Sequence, residues 1–108
     1  LYNVETTPRE FSSVVMLVRD ALLEMKKVLD YTGDVAANYM KMEARCRKIY
    51  VFEERGDEFY REEIRRLFTE KQSAAYMIYW KDILVDVERM LDAAAGAAKL
   101  LQKLFVRV

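Results

Sequence analysis

One proline and three glycines in 108 residues leave this chain almost nowhere to turn. A sandwich or barrel needs a turn roughly every eight to twelve residues, so an all-β fold is excluded at once. Helical periodicity fills the space between the breakers. Phe11, Val15, Val18, Leu22, Met25 and Leu29 alternate by four and three, which sets them on one helix face. Ahead of them, Thr7-Pro8-Arg9-Glu10 reads as a capping box, with residues 1–7 as an N-terminal tail. Thr32-Gly33-Asp34 reads as a stop and a restart: Gly33 offers a left-handed C-cap and Asp34 an N-cap. The seam resumes through Val35, Tyr39, Met42, Cys46 and Ile49, then Glu53, Gly56, Tyr60, Ile64 and Leu67. Its phase survives Gly56, which predicts one helix of roughly 50 Å at ~1.5 Å per residue. Glu70-Lys71-Gln72 is the next turn, with Ser73 as N-cap. Trp80, Leu84, Val87, Leu91, Ala94, Ala98, Leu101 and Phe105 form the last seam. The expected helices are 8–31, 34–69 and 74–106. Short connections make antiparallel neighbours, so the expected fold is all-α, a single elongated up-down-up three-helix bundle. A fourth position is left for another chain or a missing segment.

The composition narrows the chemistry. There is no histidine, which removes the commonest general base and the Ser-His and Cys-His nucleophile systems. It also removes the Glu-x-x-His sites of ferritin-like bundles. Eighteen basic and eighteen acidic side chains give zero net charge, against a partner read through its phosphates, so no nucleic acid is expected. Cys46 has no second cysteine to pair with and reads as a small buried hydrophobe. No stretch is apolar enough for a transmembrane helix, and the start lacks the features of a signal peptide. A chain opening on Leu reads as a fragment or processed product, with the cytoplasm as the expected location. Arg45, Arg47, Lys48 and Arg55 are interleaved with Glu43, Glu53 and Glu54 and read as a solvated face. Tyr76, Tyr79 and Trp80 read as core or a dimer contact, and Met25, Met42 and Met77 as core.

Glu53 stands out, because it occupies a seam position, with Asp57 one turn further on. Burying an unpaired carboxylate costs several kcal/mol, and Gly56 between the two costs a helix about 1 kcal/mol relative to Ala. Two unfavourable choices at one spot suggest that something is accommodated there. Glu88 and Asp92 repeat the Glu-x-x-x-Asp spacing on the third helix, followed by the small-residue run 93–98. Carboxylates at i and i+4 project from one face. Two such pairs on facing helices would form an all-oxygen cluster suited to Mg²⁺, Ca²⁺, Mn²⁺ or iron. The competing reading is of surface acids paired with Arg55, Arg61 or Arg89, at little energetic gain.

The segment from Ile49 to Phe68 resembles the signature of PhoU-like phosphate-transport regulators, nearest to the accessory branch of Pit-type transporters. Glu53, Gly56, Asp57, Arg61, Glu62, Leu67 and Phe68 fill that pattern, with Phe52 where Leu is usual. Tyr79-Trp80-Lys81-Asp82-Ile83-Leu84 and Glu88-Arg89-Met90-Leu91-Asp92 are similar to the family's third-helix motifs. The resemblance spans residues 10–106 and implies a three-helix bundle whose Glu53, Asp57, Glu88 and Asp92 bind iron or another oxygen-ligated divalent cation. It implies a non-enzymatic regulatory or accessory role in phosphate transport or signalling, at the inner face of the membrane beside a phosphate transporter. Family members carry two such repeats, and this chain matches one, the C-terminal. A homo-oligomer or a missing sibling repeat is therefore expected. The alternative is a structural helical interaction module without metal.

Overall fold

The computed structural model describes residues 11–70 and 72–107. Three long helices, α1 (Phe11–Asp30), α2 (Val35–Thr69) and α3 (Ala74–Arg107), run up, down and up. A 3₁₀ turn at Tyr31–Asp34 joins the first two. No strand occurs among the described residues. The bundle measures 55 × 19 × 16 Å, close to the length of α2 itself. Among the described residues, no helix is long and apolar enough to cross a membrane. The proposed capping box at residues 7–10 lies outside the described residues, as do the tail 1–7 and Lys71.

The helix boundaries have local causes. Asp34 caps α2 by accepting the Ala37 amide at 3.1 Å. Ser73 caps α3 by accepting the Tyr76 amide on its Oγ at 3.1 Å and the Met77 amide on its carbonyl at 3.0 Å. Each such cap satisfies amides that the first turn leaves without partners. Gly33 departs from expectation: it lies within the 3₁₀ turn and not in the left-handed region. Asp34 makes the break instead, with φ −146° and ψ 85°.

Two apolar clusters fill the interior. One gathers Val28, Met42, Cys46, Ile49, Leu91 and Ala98, and the other Leu67, Tyr76, Trp80 and Leu84 near the α2–α3 turn. Phe11 stacks edge-on against Trp80, with ring centroids 5.1 Å apart, so the start of α1 stands at the height of the start of α3. The seams of α2 and α3 are buried much as their spacing predicts. On α1 the expected stripe needs correction. Val14, Val18, Ala21, Glu24 and Val28 are buried, whereas Val15, Leu22 and Leu29 are about half exposed. α1 packs against α2 as well as α3, which rotates the covered arc by about one residue.

Gly56 lies in an unbroken α2. A Cβ there would come within 2.2 Å of Leu91 Cδ1, so the glycine admits the Leu91 side chain. Close helix approach, rather than flexibility, accounts for it.

Candidate metal centre

The acids sit at the waist between the two apolar clusters, around the Gly56–Leu91 contact. Glu53 and Asp57 flank Gly56 on α2, and Glu88 and Asp92 flank Leu91 on α3. Because Gly56 admits the Leu91 side chain at this level, the two pairs stand at one height on α2 and α3. Glu53, Asp57 and Asp92 each offer a carboxylate oxygen within 4.8 Å of the others. Glu88 is adjacent to that trio but not in it, and its closest electrostatic partner is Asp57. Glu53, Asp57 and Glu88 are partly buried, while Asp92 is exposed at the rim. A shallow cavity of about 170 Å³, lined by Tyr60, Val85, Glu88, Arg89 and Asp92, opens beside them to solvent.

The electrostatics show the strain of this grouping. Burial, then the negative charge of Asp57, push the Glu88 carboxyl up to about 7, with Asp92 and Glu53 adding to the shift. Burial likewise raises Glu53, followed by proton sharing with Asp92 and the charges of Asp57 and Asp92; only Lys99 opposes. Glu88 Oε2 is buried without a hydrogen-bond partner among the described residues. Ionised carboxylates cannot donate to one another, so within this group of acids the oxygen is satisfied by a proton bridging toward Asp57 or by a cation in its place. No salt bridge joins the four acids to Arg55, Arg61 or Arg89 among the described residues, and Arg89 pairs with Asp86 at 3.7 Å. The competing surface-pair reading therefore lacks its partners.

The donor set fits a hard cation: three converging carboxylates with a fourth beside them, no nitrogen or sulfur, an unsatisfied buried oxygen and an open rim. Cys46 takes no part. It is fully buried, donates weakly to the Ala98 carbonyl at 4.0 Å, and burial pushes its thiol up to about 11.

Sequence reasoning missed two buried acids. Glu24 on α1 is 7% exposed and accepts from Arg45 of α2 at 3.3 Å and Lys27 at 3.5 Å. Glu63 on α2 is 3% exposed and accepts from Arg66 at 2.7 Å. Glu63-x-x-Arg66 spacing was legible, but its burial was not. Tyr50, which donates to Gln102, and Gln102, which donates to Glu43 at 3.2 Å, add a polar bridge between α2 and α3. Comparison of the chain with protein-family models, curated proteins and solved structures gives no match in any of the three.

Proposed function

We propose that this chain is a PhoU-like regulatory or accessory protein, modulating phosphate transport or signalling, with a cation site in its waist. The observation that carries the proposal is the convergence of Glu53, Asp57 and Asp92 within 4.8 Å, with Glu88 beside them. The sequence motifs that resemble that family supply these four residues. Glu53, Asp57 and Asp92 would hold the cation directly, and Glu88 would complete the set on losing its proton. Iron or another divalent cation would supply positive charge that relieves the mutual repulsion and links α2 to α3. The role is non-catalytic. The partners this reading calls for are a second copy or a sibling repeat, and a membrane phosphate transporter met at the cytoplasmic face.

The test works by sign. A cation bound only to the folded state stabilises it by roughly 2.7 kcal/mol at a hundredfold excess over Kd. For a domain of this size that raises Tm by on the order of 10–20 °C. A melting scan over Mg²⁺, Ca²⁺, Mn²⁺, Fe²⁺ and Zn²⁺ is run on wild type and on Glu53→Gln/Asp57→Asn. The expected result is a metal-dependent rise in the wild type alone, with the variant melting at or above wild type in chelator. If no ion shifts the wild type and the variant melts lower in chelator, the acids are structural and the interaction-module reading replaces this one.

A further inference from the structure

The strongest feature outside the acid site is an apolar face on the side of the bundle turned away from α2. On α1, Glu24 marks the flank facing α2, through Arg45. Val15, Leu22 and Leu29 lie on the opposite flank and are 46–52% exposed. On α3, Gln102 and Glu88 mark the flank facing α2. Met90, Ala97 and Leu104 lie on the opposite flank, with Met90 50% and Leu104 46% exposed. Both rows recur every seventh residue. That is the repeat that keeps a seam in register against another helix. The core seams of α1 and α3 are already used inside the bundle, so these are second seams, side by side along the open α1–α3 groove.

We infer that this face is the interface of a symmetric dimer, in which a second copy of the chain lays its own α1–α3 face on the first. Two arguments choose that occupant. The first is area: the five large half-exposed side chains leave on the order of 500 Å² of apolar surface, at the upper range for a lone monomer. With a polar rim, this approaches the ~800 Å² that each partner gives to a stable dimer. The second is charge. The α1 row is edged by Arg19 and Lys26, and the α3 row by Asp86. A two-fold axis along the bundle lays α1 of one copy on α3 of the other. Phe11 and Trp80 stand at one height, and α1 and α3 run parallel, so Arg19 comes within a turn of the partner's Asp86. The face is therefore self-complementary. The local pairs Arg19–Asp20 and Asp86–Arg89 are exposed and hold these charges only weakly.

The interface lies apart from the acids, so its test does not depend on metal. Sedimentation of the full chain in chelator, from 1 to 100 µM, is expected to give twice the 12.8 kDa monomer mass. Leu22→Glu/Met90→Glu is expected to weaken the dimer at least about 100-fold, since it carries carboxylates into an apolar interface. Its circular dichroism should not change, because both side chains are half exposed in the monomer. Met40→Glu, at a site 82% exposed on α2, should leave the dimer intact. Arg19→Glu and Asp86→Arg should each weaken association, and their combination should recover it. A monomer at 100 µM overturns the inference, as does a dimer indifferent to Leu22→Glu/Met90→Glu. A dimer that both charge variants leave unchanged overturns the proposed two-fold.

Discussion

Substituting Gly56 tests the close approach on which the waist depends. In a free helix Gly→Ala stabilises by about 1 kcal/mol. At Gly56 the new methyl would stand 2.2 Å from Leu91 Cδ1, well inside contact distance. Leu91 is 2% exposed and packed in the larger apolar cluster, so it cannot swing into solvent. Either its rotamer changes against filled neighbours or α2 and α3 separate, and overpacking of this kind costs roughly 1–3 kcal/mol. The net expectation is a destabilisation of up to about 2 kcal/mol, after the helix-propensity gain is subtracted. Gly96 provides the internal control: it is also helical, and a Cβ there meets nothing within 4 Å. Gly96→Ala should therefore stabilise by about 1 kcal/mol, raising Tm by roughly 4–8 °C. Thermal melts of the two single variants, read in chelator, should move in opposite directions. Leu91→Ala, costly alone, should cost less in the Gly56→Ala background, so the double variant loses less stability than the two single losses added together. A Gly56→Ala protein that gains as much Tm as Gly96→Ala would refute the reasoning. The glycine would then not be there for Leu91.

Two further predictions use the charges. Glu88 has a folded pKa of about 7 against an ordinary 4.5, so the fold favours its protonated form. That contribution is complete below about pH 4.5 and lost as pH rises through 7. At about 1.4 kcal/mol per pH unit the loss is at most ~3 kcal/mol, reduced by solvent screening and coupling to its neighbours. In chelator, Glu88→Gln should melt with wild type near pH 4.5 and above it beyond pH 7.5, and metal affinity should rise over the same interval. A Tm difference independent of pH would contradict this. Glu24 makes the second case: Arg45→Met strips its closest partner and leaves Lys27, for an expected cost of about 1–2 kcal/mol in urea unfolding at unchanged m. Adding Glu24→Leu should return most of it, because a buried pair replaced by apolar side chains is near neutral.

The helices were written in the sequence because their causes are local. Spacing of apolar residues, the Asp34 and Ser73 caps and the scarcity of breakers act within a few residues of where they stand, so α2 and α3 and their buried seams could be read directly. The i, i+4 placement of Glu53 with Asp57 and of Glu88 with Asp92 was legible for the same reason. On α1 the spacing points to the stripe through Val15, Leu22 and Leu29, and the structure buries the neighbouring one instead. Val15, Leu22 and Leu29 make as good a stripe as Val14, Ala21 and Val28, and only the positions of α2 and α3 around α1 choose between them. Burial of Glu24 depends on Arg45, twenty-one residues away, and Glu63 lines a cavity with Val14 and Leu17 of α1, some fifty residues away in sequence. Gly33 offers a left-handed C-cap in the sequence, yet the turn forms without it because Asp34 leaves the helical region, at φ −146° and ψ 85°. Gly56 marks in the sequence a place where something is accommodated, and the structure puts the Leu91 side chain there. The same contact decides the site: a side chain from α3 keyed into a gap on α2 sets the height at which three acids meet with a fourth beside them. Periodicity along one chain carries no information about that height, because it is fixed by packing between helices.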